Sequence, residues 1–263
     1  MSGFKQASRK GNRAALSDWR EVRDADLTAR MEPFDSFWEA PEDVERGYGK
    51  FSAFYRANYL SRLPATRDAR ILVIGCGPGY LVQLLVDSGY THVVGIDSFP
   101  EKIDWATDRG LPCRTAPVFE FLQTSDQQYD AIVGETEINH LTKDEILLFL
   151  DAVRDNLVPG GIFLTHSINA TSPLTGSESR SGNWDHYCSF TEYSLRQVLE
   201  YAGFEDVEVF GLNLYVFWKN PLNYVAWAID RLNTVFFRLQ FILVGKSARV
   251  FTKKIGAACR RAG

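Results

Sequence analysis

Apolar positions along the chain alternate between short continuous runs and helical repeats. From Tyr48 the aromatic residues recur at helical spacing through Phe51, Phe54, Tyr55 and Tyr59, which predicts a helix over 45–62 that stops before Pro64. Residues 71–75 (ILVIG) follow a polar stretch as an unbroken β-branched run, the pattern of a strand buried on both faces of a parallel sheet. Further strands are read at 92–97, 112–115, 129–134 and 162–166, with helices at 80–87, 99–109 and 119–124. The sequence Thr142-Lys-Asp-Glu145 is a capping box opening a helix to about Asn156, and Pro159-Gly160-Gly161 reads as a turn. Residues 168–190 are rich in Ser, Asn, Thr and Gly, and are expected to form one long loop. Loops of that length in a compact domain tend to carry function. Thr191 caps a helix to Tyr201, Gly203 stops it, and 204–210 alternates as a strand. A strongly apolar helix over 221–243 and a last strand over 248–259 complete the pattern.

The alternation of strand and helix predicts an α/β fold: a Rossmann-like, seven-stranded, mostly parallel sheet with helices on both faces and an antiparallel last strand. Residues 1–45 are polar and mixed in charge, with an aromatic knot at Phe34, Phe37 and Trp38, and are expected to be loosely structured. Residues 46–263 then form one domain with a helical insert at 221–244.

The 263 residues are 45% hydrophobic and 24% charged, which excludes a disordered or fibrous chain. A net charge of −4 lacks the basic footprint of a nucleic-acid binder. Cys76, Cys113, Cys188 and Cys259 form no CxxC pair, so they read as reduced thiols of a cytoplasmic protein rather than a disulfide or zinc framework. The N-terminus carries basic residues without an apolar core and does not read as a targeting signal, and 221–244, interrupted by Asp230, Arg231 and Arg238, is not a spanning segment.

The candidate chemistry starts at the loop after the first strand, Gly75-Cys76-Gly77-Pro78-Gly79, followed by Tyr80. Its glycines are spaced GxGxG, whereas a dinucleotide fingerprint would need a glycine at position 80. Glycines here turn the backbone off the strand and let it approach a ligand, a need assigned above all to Gly79. Asp97 ends the second strand, where a carboxylate can accept ribose hydroxyls in the crevice outside the carboxyl ends of the strands.

These elements, together with VVGID (93–97), YDAIVGETEINHL (129–141) and LVPGG (157–161), resemble the class I S-adenosylmethionine (SAM) dependent methyltransferases over about residues 50–212. The resemblance implies SAM as cofactor. It places Gly75, Cys76, Gly77, Gly79 and Tyr80 about the methionine end, Asp97 on the ribose, Ser98 and Val118 flanking the adenine, and Glu135 beneath the cofactor. Pro117 stands where this family often has an acid. A narrower resemblance links Ser167-Ile168-Asn169-Ala170, Asn183-Trp184-Asp185-His186, Phe190-Thr191 and Ala202-Gly203-Phe204 to a subgroup from bacterial cell-surface polysaccharide clusters. That subgroup's D-x-T-H loop departs here at Asn183 and Asp185.

Methyl transfer to a hydroxyl needs an aligned acceptor and a group to take its proton. His186 is the first choice as base, with Asp185 beside it in the long loop, and His140 after the fourth strand is the alternative. Glu135, Glu137 and His140 could be read as a metal set, but Thr136 and Asn139 occupy the acidic places such a set would use, so no metal is expected. The 221–244 helix has two readings. One is a cover on the sheet edge, slightly favoured. The other is a peripheral membrane anchor, formed by its aromatics and the basic residues through 263. The expected activity is O-methylation of a saccharide or cell-envelope glycan precursor. The alternatives are a quinone or natural-product O- or N-methyltransferase and a non-catalytic SAM-binding or partner subunit.

Overall fold

A computed structural model describes residues 18–24, 41–135, 137–212 and 220–263. Seven strands form one sheet in the order β3-β2-β1-β4-β5-β7-β6. They are β1 (Arg70–Ile74), β2 (His92–Asp97), β3 (Cys113–Thr115), β4 (Tyr129–Gly134), β5 (Leu157–Ile168), β6 (Phe204–Gly211) and β7 (Lys254–Arg261). The first five pair in parallel, and β7 inserts antiparallel to both β5 and β6. The expected sheet, with its antiparallel last strand, is therefore present. The order reverses at β1, whose neighbours are β2 and β4, and this opens a crevice at their carboxyl ends.

The helices are α1 (Pro41–Asn58), α2 (Tyr80–Asp87), α3 (Pro100–Asp108), α4 (Val118–Thr124), α5 (Glu137–His140), α6 (Lys143–Asn156), α7 (Gly176–Ser181), α8 (Glu192–Tyr201) and α9 (Leu222–Leu243). Each face of the sheet carries its own core. Phe119, Phe149, Phe163 and Leu195 fill one, beneath α4, α6 and α8. Tyr59, Leu81, Leu85 and Ile103 fill the other, beneath α1, α2 and α3. Ile71–Ile74 of β1 are fully buried between them, which explains the unbroken apolar run in that strand. The expected capping box of Thr142 with Glu145 forms, and the expected cap at Thr191 proves to be a capping box as well, with Ser194.

Four expectations are corrected. First, the N-terminal stretch is not loose at 18–24. Trp19 and Val22 are buried in the core, the Trp19 indole N–H donates to Asp155 at 3.0 Å, and the Asp24 carboxylate accepts the Phe119 and Glu120 amides, capping α4 from outside. The aromatic knot Phe34, Phe37, Trp38 and the rest of 1–40 lie outside the described residues. Second, the long loop is not wholly irregular, since it contains α7 and an Asn169–Phe190 bridge. Third, β7 begins at Lys254 rather than 248. The Val250 and Thr252 carbonyls are taken by the Asn169 side chain, at 3.0 and 2.8 Å, instead of joining the ladder. Fourth, α9 does not cover the sheet edge. None of its residues is buried, and its aromatic contacts are Phe237 and Phe241 against Phe251. No described helix is long and apolar enough to cross a membrane.

Trp19 ties the N-terminal segment to α6 through both packing and a hydrogen bond. Trp19→Ala should therefore destabilise the protein by about 3 kcal/mol. Urea unfolding measures this, and a change within about 0.5 kcal/mol would show that the segment is not part of the folded unit.

Candidate active site

The crevice is built where β1, β2 and β4 end. The Cys76 amide donates to the Ile96 carbonyl at 3.0 Å, which stitches the glycine loop to β2. One Asp97 oxygen accepts the Gly77 amide at 2.9 Å and the other accepts the Phe99 amide at 3.0 Å. The buried carboxylate thus fixes the loop as well as facing the crevice. An ionised carboxylate has further lone pairs for a ligand. Gly75, Gly77 and Gly79 all have positive φ, and their surroundings separate their roles. A Cβ on Gly77 would meet nothing within 4 Å, whereas one on Gly79 would strike Leu111 at 2.8 Å and Ala106 at 3.2 Å. Gly77, not Gly79, is therefore the glycine with open space beside it, and Gly79 is needed for packing.

Helix α1 roofs this loop. Tyr48 donates its hydroxyl to the Pro78 carbonyl at 2.6 Å, and the Tyr80 ring stacks on Phe51 at 5.0 Å. Tyr80 and Cys76 are buried in that packing. Ser98 is half-buried just past β2, and Val118 opens α4 after its N-cap Pro117. The Ala116 amide joins this side to the Asp97 carbonyl at 2.9 Å.

Glu135 follows β4, with its amide donating to the Ile74 carbonyl at 3.0 Å. Tyr55 of α1 donates its hydroxyl to the Glu135 carboxylate at 3.0 Å. Behind it lie His166 of β5, hydrogen-bonded to Tyr59, and Lys254 of β7, whose ammonium is 3.3 Å from His166 Nε2. Burial pushes the Glu135 carboxyl up to about 7, against a lowering by the Tyr55 hydrogen bond and by Lys254. Burial also holds His166 well below its ordinary value, with Lys254 adding to this. The 4.0 Å approach of His166 Nδ1 to Glu135 is therefore a contact of a neutral imidazole, not an ion pair.

A second polar centre lies beyond β4. His140 closes α5, and its Nδ1 is 3.0 Å from Asp185 Oδ2. The His186 ring sits 4.9 Å from the His140 ring, centroid to centroid, and His186 Nδ1–H donates to the Ser179 carbonyl at 2.9 Å. Burial, then the neighbouring His140, holds the His186 imidazole below its ordinary value. Asp185 is 3% exposed, and its Oδ1 is buried without a hydrogen bond. Asn139 assembles this centre. Its side-chain oxygen accepts Ser167 Oγ at 2.6 Å and the Ile168 amide at 3.2 Å, while its backbone carbonyl accepts the Tyr187 and Cys188 amides.

The structure thus brings the expected His140, Asp185 and His186 together, but pairs Asp185 with His140 rather than with its neighbour. The contributions of Asn139, Tyr55 and Lys254 were not foreseen. Helical spacing had placed Tyr55 on a helix without naming its partner. A separate cleft of about 570 Å³, bordered by Arg62, Asp130, Gly160, Glu208 and Arg260, lies at the opposite end of β4, away from the glycine loop.

Glu135 makes stability depend on pH. Below about 4.5, its ordinary value, the carboxyl is protonated folded or unfolded. As pH rises from there to about 7, ionisation favours the unfolded chain, and above 7 the loss is complete. Each pH unit between the two values is worth about 1.4 kcal/mol, so the loss is on the order of 3 kcal/mol. Glu135→Gln, which keeps an acceptor for Tyr55, should melt higher than wild type at pH 8, and the gap should close as pH falls to about 4.5. A gap that does not vary with pH would contradict the assignment.

Comparison with known proteins agrees with this architecture. The methyltransferase domain family matches residues 48–209. A ubiquinone biosynthesis O-methyltransferase of Xylella fastidiosa is 27% identical over 221 residues, 75% of this chain and 88% of that protein. Its counterpart in Dinoroseobacter shibae is 31% identical over 179 residues, 62% and 68% of the two chains. Among solved structures, a SAM dependent methyltransferase from Archaeoglobus fulgidus superposes with a TM-score of 0.60 at 16% identity, covering 83% of this chain and 96% of that one. The relatives do not bear out the polysaccharide subgroup, since those compared carry quinone names. With its family match spanning most of the chain, over a sheet and crevice of the class I type, this protein belongs to the methyltransferase domain family and is a SAM-dependent methyltransferase.

Proposed function

We propose that the protein methylates a hydroxyl of a small aromatic acceptor of the quinol or catechol type. The observation that carries this reading is the His140–Asp185–His186 centre just beyond the carboxyl end of β4. In this reading Gly75, Cys76, Gly77 and Gly79 receive the methionine end of SAM, with Tyr80 supporting the loop. Asp97 holds the ribose, Ser98 and Val118 border the adenine, and Glu135 lies beneath the cofactor. An acceptor oxygen then forms the O–CH3 bond as the S–CH3 bond breaks. Sulfur keeps that electron pair as a neutral thioether, and the hydroxyl proton leaves through the His–Asp centre. Asp185 orients His140, whose Nδ1–H points at the carboxylate and leaves Nε2 with a lone pair.

Three features support an aromatic acceptor over a saccharide. A phenolic hydroxyl, at about 10, is within reach of an imidazole, whereas an aliphatic hydroxyl is closer to water at about 15.7. Trp184, 85% exposed beside Asp185, offers a flat apolar face. The quinone-pathway relatives favour the same class. Along α9, exposed Leu232, Phe236 and Leu239 with Arg231 and Arg238 support peripheral contact with an anionic lipid surface, where an apolar acceptor would be met.

His140→Ala and Asp185→Asn should each bind SAM normally but turn over a catechol acceptor about 10²–10⁴-fold more slowly. Radiolabelled methyl transfer measures this, and near-normal turnover in both variants would overturn the reading. His186→Ala should lose less, because Asp185 pairs with His140. The reverse ranking would return the base to His186.

Gly77→Ala should weaken SAM binding at least about tenfold in calorimetry, while stability falls by only about 1–2 kcal/mol for the left-handed backbone. Unchanged affinity would remove the open side of Gly77 from the cofactor site.

A further inference from the structure

The geometry points to a divalent transition-metal site formed by His140, Asp185 and His186. One donor atom from each residue lies within 4.8 Å of the others, and no ion is present. Two features mark the cluster as a coordination shell rather than a chance meeting of polar groups. His186 gives its Nδ1 hydrogen to the Ser179 carbonyl, which leaves the Nε2 lone pair for a cation. Metal-bound histidines are held in this way, with the second ring nitrogen donating to a backbone carbonyl. Asp185 supplies the second feature. It is 3% exposed, yet its Oδ1 makes no hydrogen bond, so a buried carboxylate keeps an unused acceptor inside the cluster.

The distances suit a small ion. The 3.0 Å edge between His140 Nδ1 and Asp185 Oδ2 subtends close to a right angle at an ion about 2.1 Å from each. On loading, the hydrogen now on His140 Nδ1 moves to Nε2 and the imidazole stays neutral, so in the loaded protein His140 is a ligand and no longer the group that takes the acceptor proton. Neighbouring ligands of one such ion lie about 3–3.5 Å apart, so an edge near the 4.8 Å limit must close by about an ångström. Two imidazoles and one carboxylate select Zn²⁺, Mn²⁺, Co²⁺ or Fe²⁺ over the hard, all-oxygen cations Mg²⁺ and Ca²⁺. Three protein ligands leave positions open for an acceptor oxygen, and a bound cation would ease loss of its proton to solvent. This last role rests on the function proposed above, whereas the metal site itself does not.

The set differs from the acids read from sequence. Glu135 is committed to Tyr55, and Asp185 reaches His140 from 45 residues further along the chain.

The test uses the full chain, stripped with EDTA and titrated with Co²⁺. The expected result is one equivalent bound, with visible absorption from a nitrogen and oxygen ligand field that Zn²⁺ displaces. Asp185→Asn and His186→Ala should lower the affinity at least about tenfold. SAM affinity and melting temperature, read on the same samples, show whether each variant is folded. Absence of Co²⁺ binding by wild type, or equal affinity in folded variants, would overturn the site. Methyl transfer to catechol separates the two claims. Restoration of turnover by Zn²⁺ or Mn²⁺ supports the acceptor role. Full activity in EDTA would overturn that role while leaving the methyltransferase reading intact. Failure of transfer under every metal condition, with Co²⁺ still bound, would count against the acceptor class and not the metal site.

Discussion

The His140–Asp185–His186 side of the crevice depends on one buried carboxamide. Asn139 is 2% exposed and sits between the end of β4 and the start of α6. Its side chain accepts Ser167 Oγ and the Ile168 amide at the end of β5, and its backbone carbonyl accepts two amides of the 168–190 loop. Asn139 therefore ties α5, which carries His140, to the loop that carries Asp185. The glycine-loop side has a parallel device in Asp97, which binds one amide of that loop and one just past β2. Each half of the crevice is thus organised by a single buried polar side chain at the end of a strand, where the backbone leaves the ladder and its amides need new partners.

Between these halves lies a buried ionisable cluster that makes the fold less stable than an apolar core of the same volume. Glu135, His166 and Lys254 meet where β4, β5 and β7 converge, with Tyr55 of α1 and Tyr59 just after it closing over them. Burial lowers the Lys254 ammonium and raises both tyrosine hydroxyls well above their ordinary range. A protein that only had to fold would gain from apolar residues here. The cluster adjoins the strand end where the fold assembles its chemistry, which is where such a loss of stability is characteristically tolerated.

Much of this was legible in the sequence where the signal is local. The run at 71–75, the glycine loop, the capping box at Thr142 and the cap at Thr191 each depend on residues within a few positions of one another. What the sequence hid is long-range. Trp19 reaches Asp155, Asp24 caps a helix nearly a hundred residues away, and Asp185 finds His140 rather than the adjacent His186. Spacing also could not show that Gly79 is required for packing, because a glycine that packs closely and one with open space beside it look alike in a motif. Apolar periodicity likewise gave α9 its limits but not its exposure, since a helix buried on a sheet and one facing outward can share a pattern.

The central claim is that cofactor and acceptor meet between the Gly77–Asp97 cradle and the His140–Asp185–His186 centre. A crystal structure with S-adenosylhomocysteine and a catechol acceptor tests it most directly. The account predicts the ribose hydroxyls on Asp97 and the acceptor hydroxyl in contact with the His140–Asp185–His186 centre. It also predicts that the sulfur lies where a methyl group between it and that oxygen would be about 3–3.5 Å from attack. An acceptor bound in the cleft beside Arg62 and Glu208, or one whose hydroxyl meets none of the three centre residues, would contradict it.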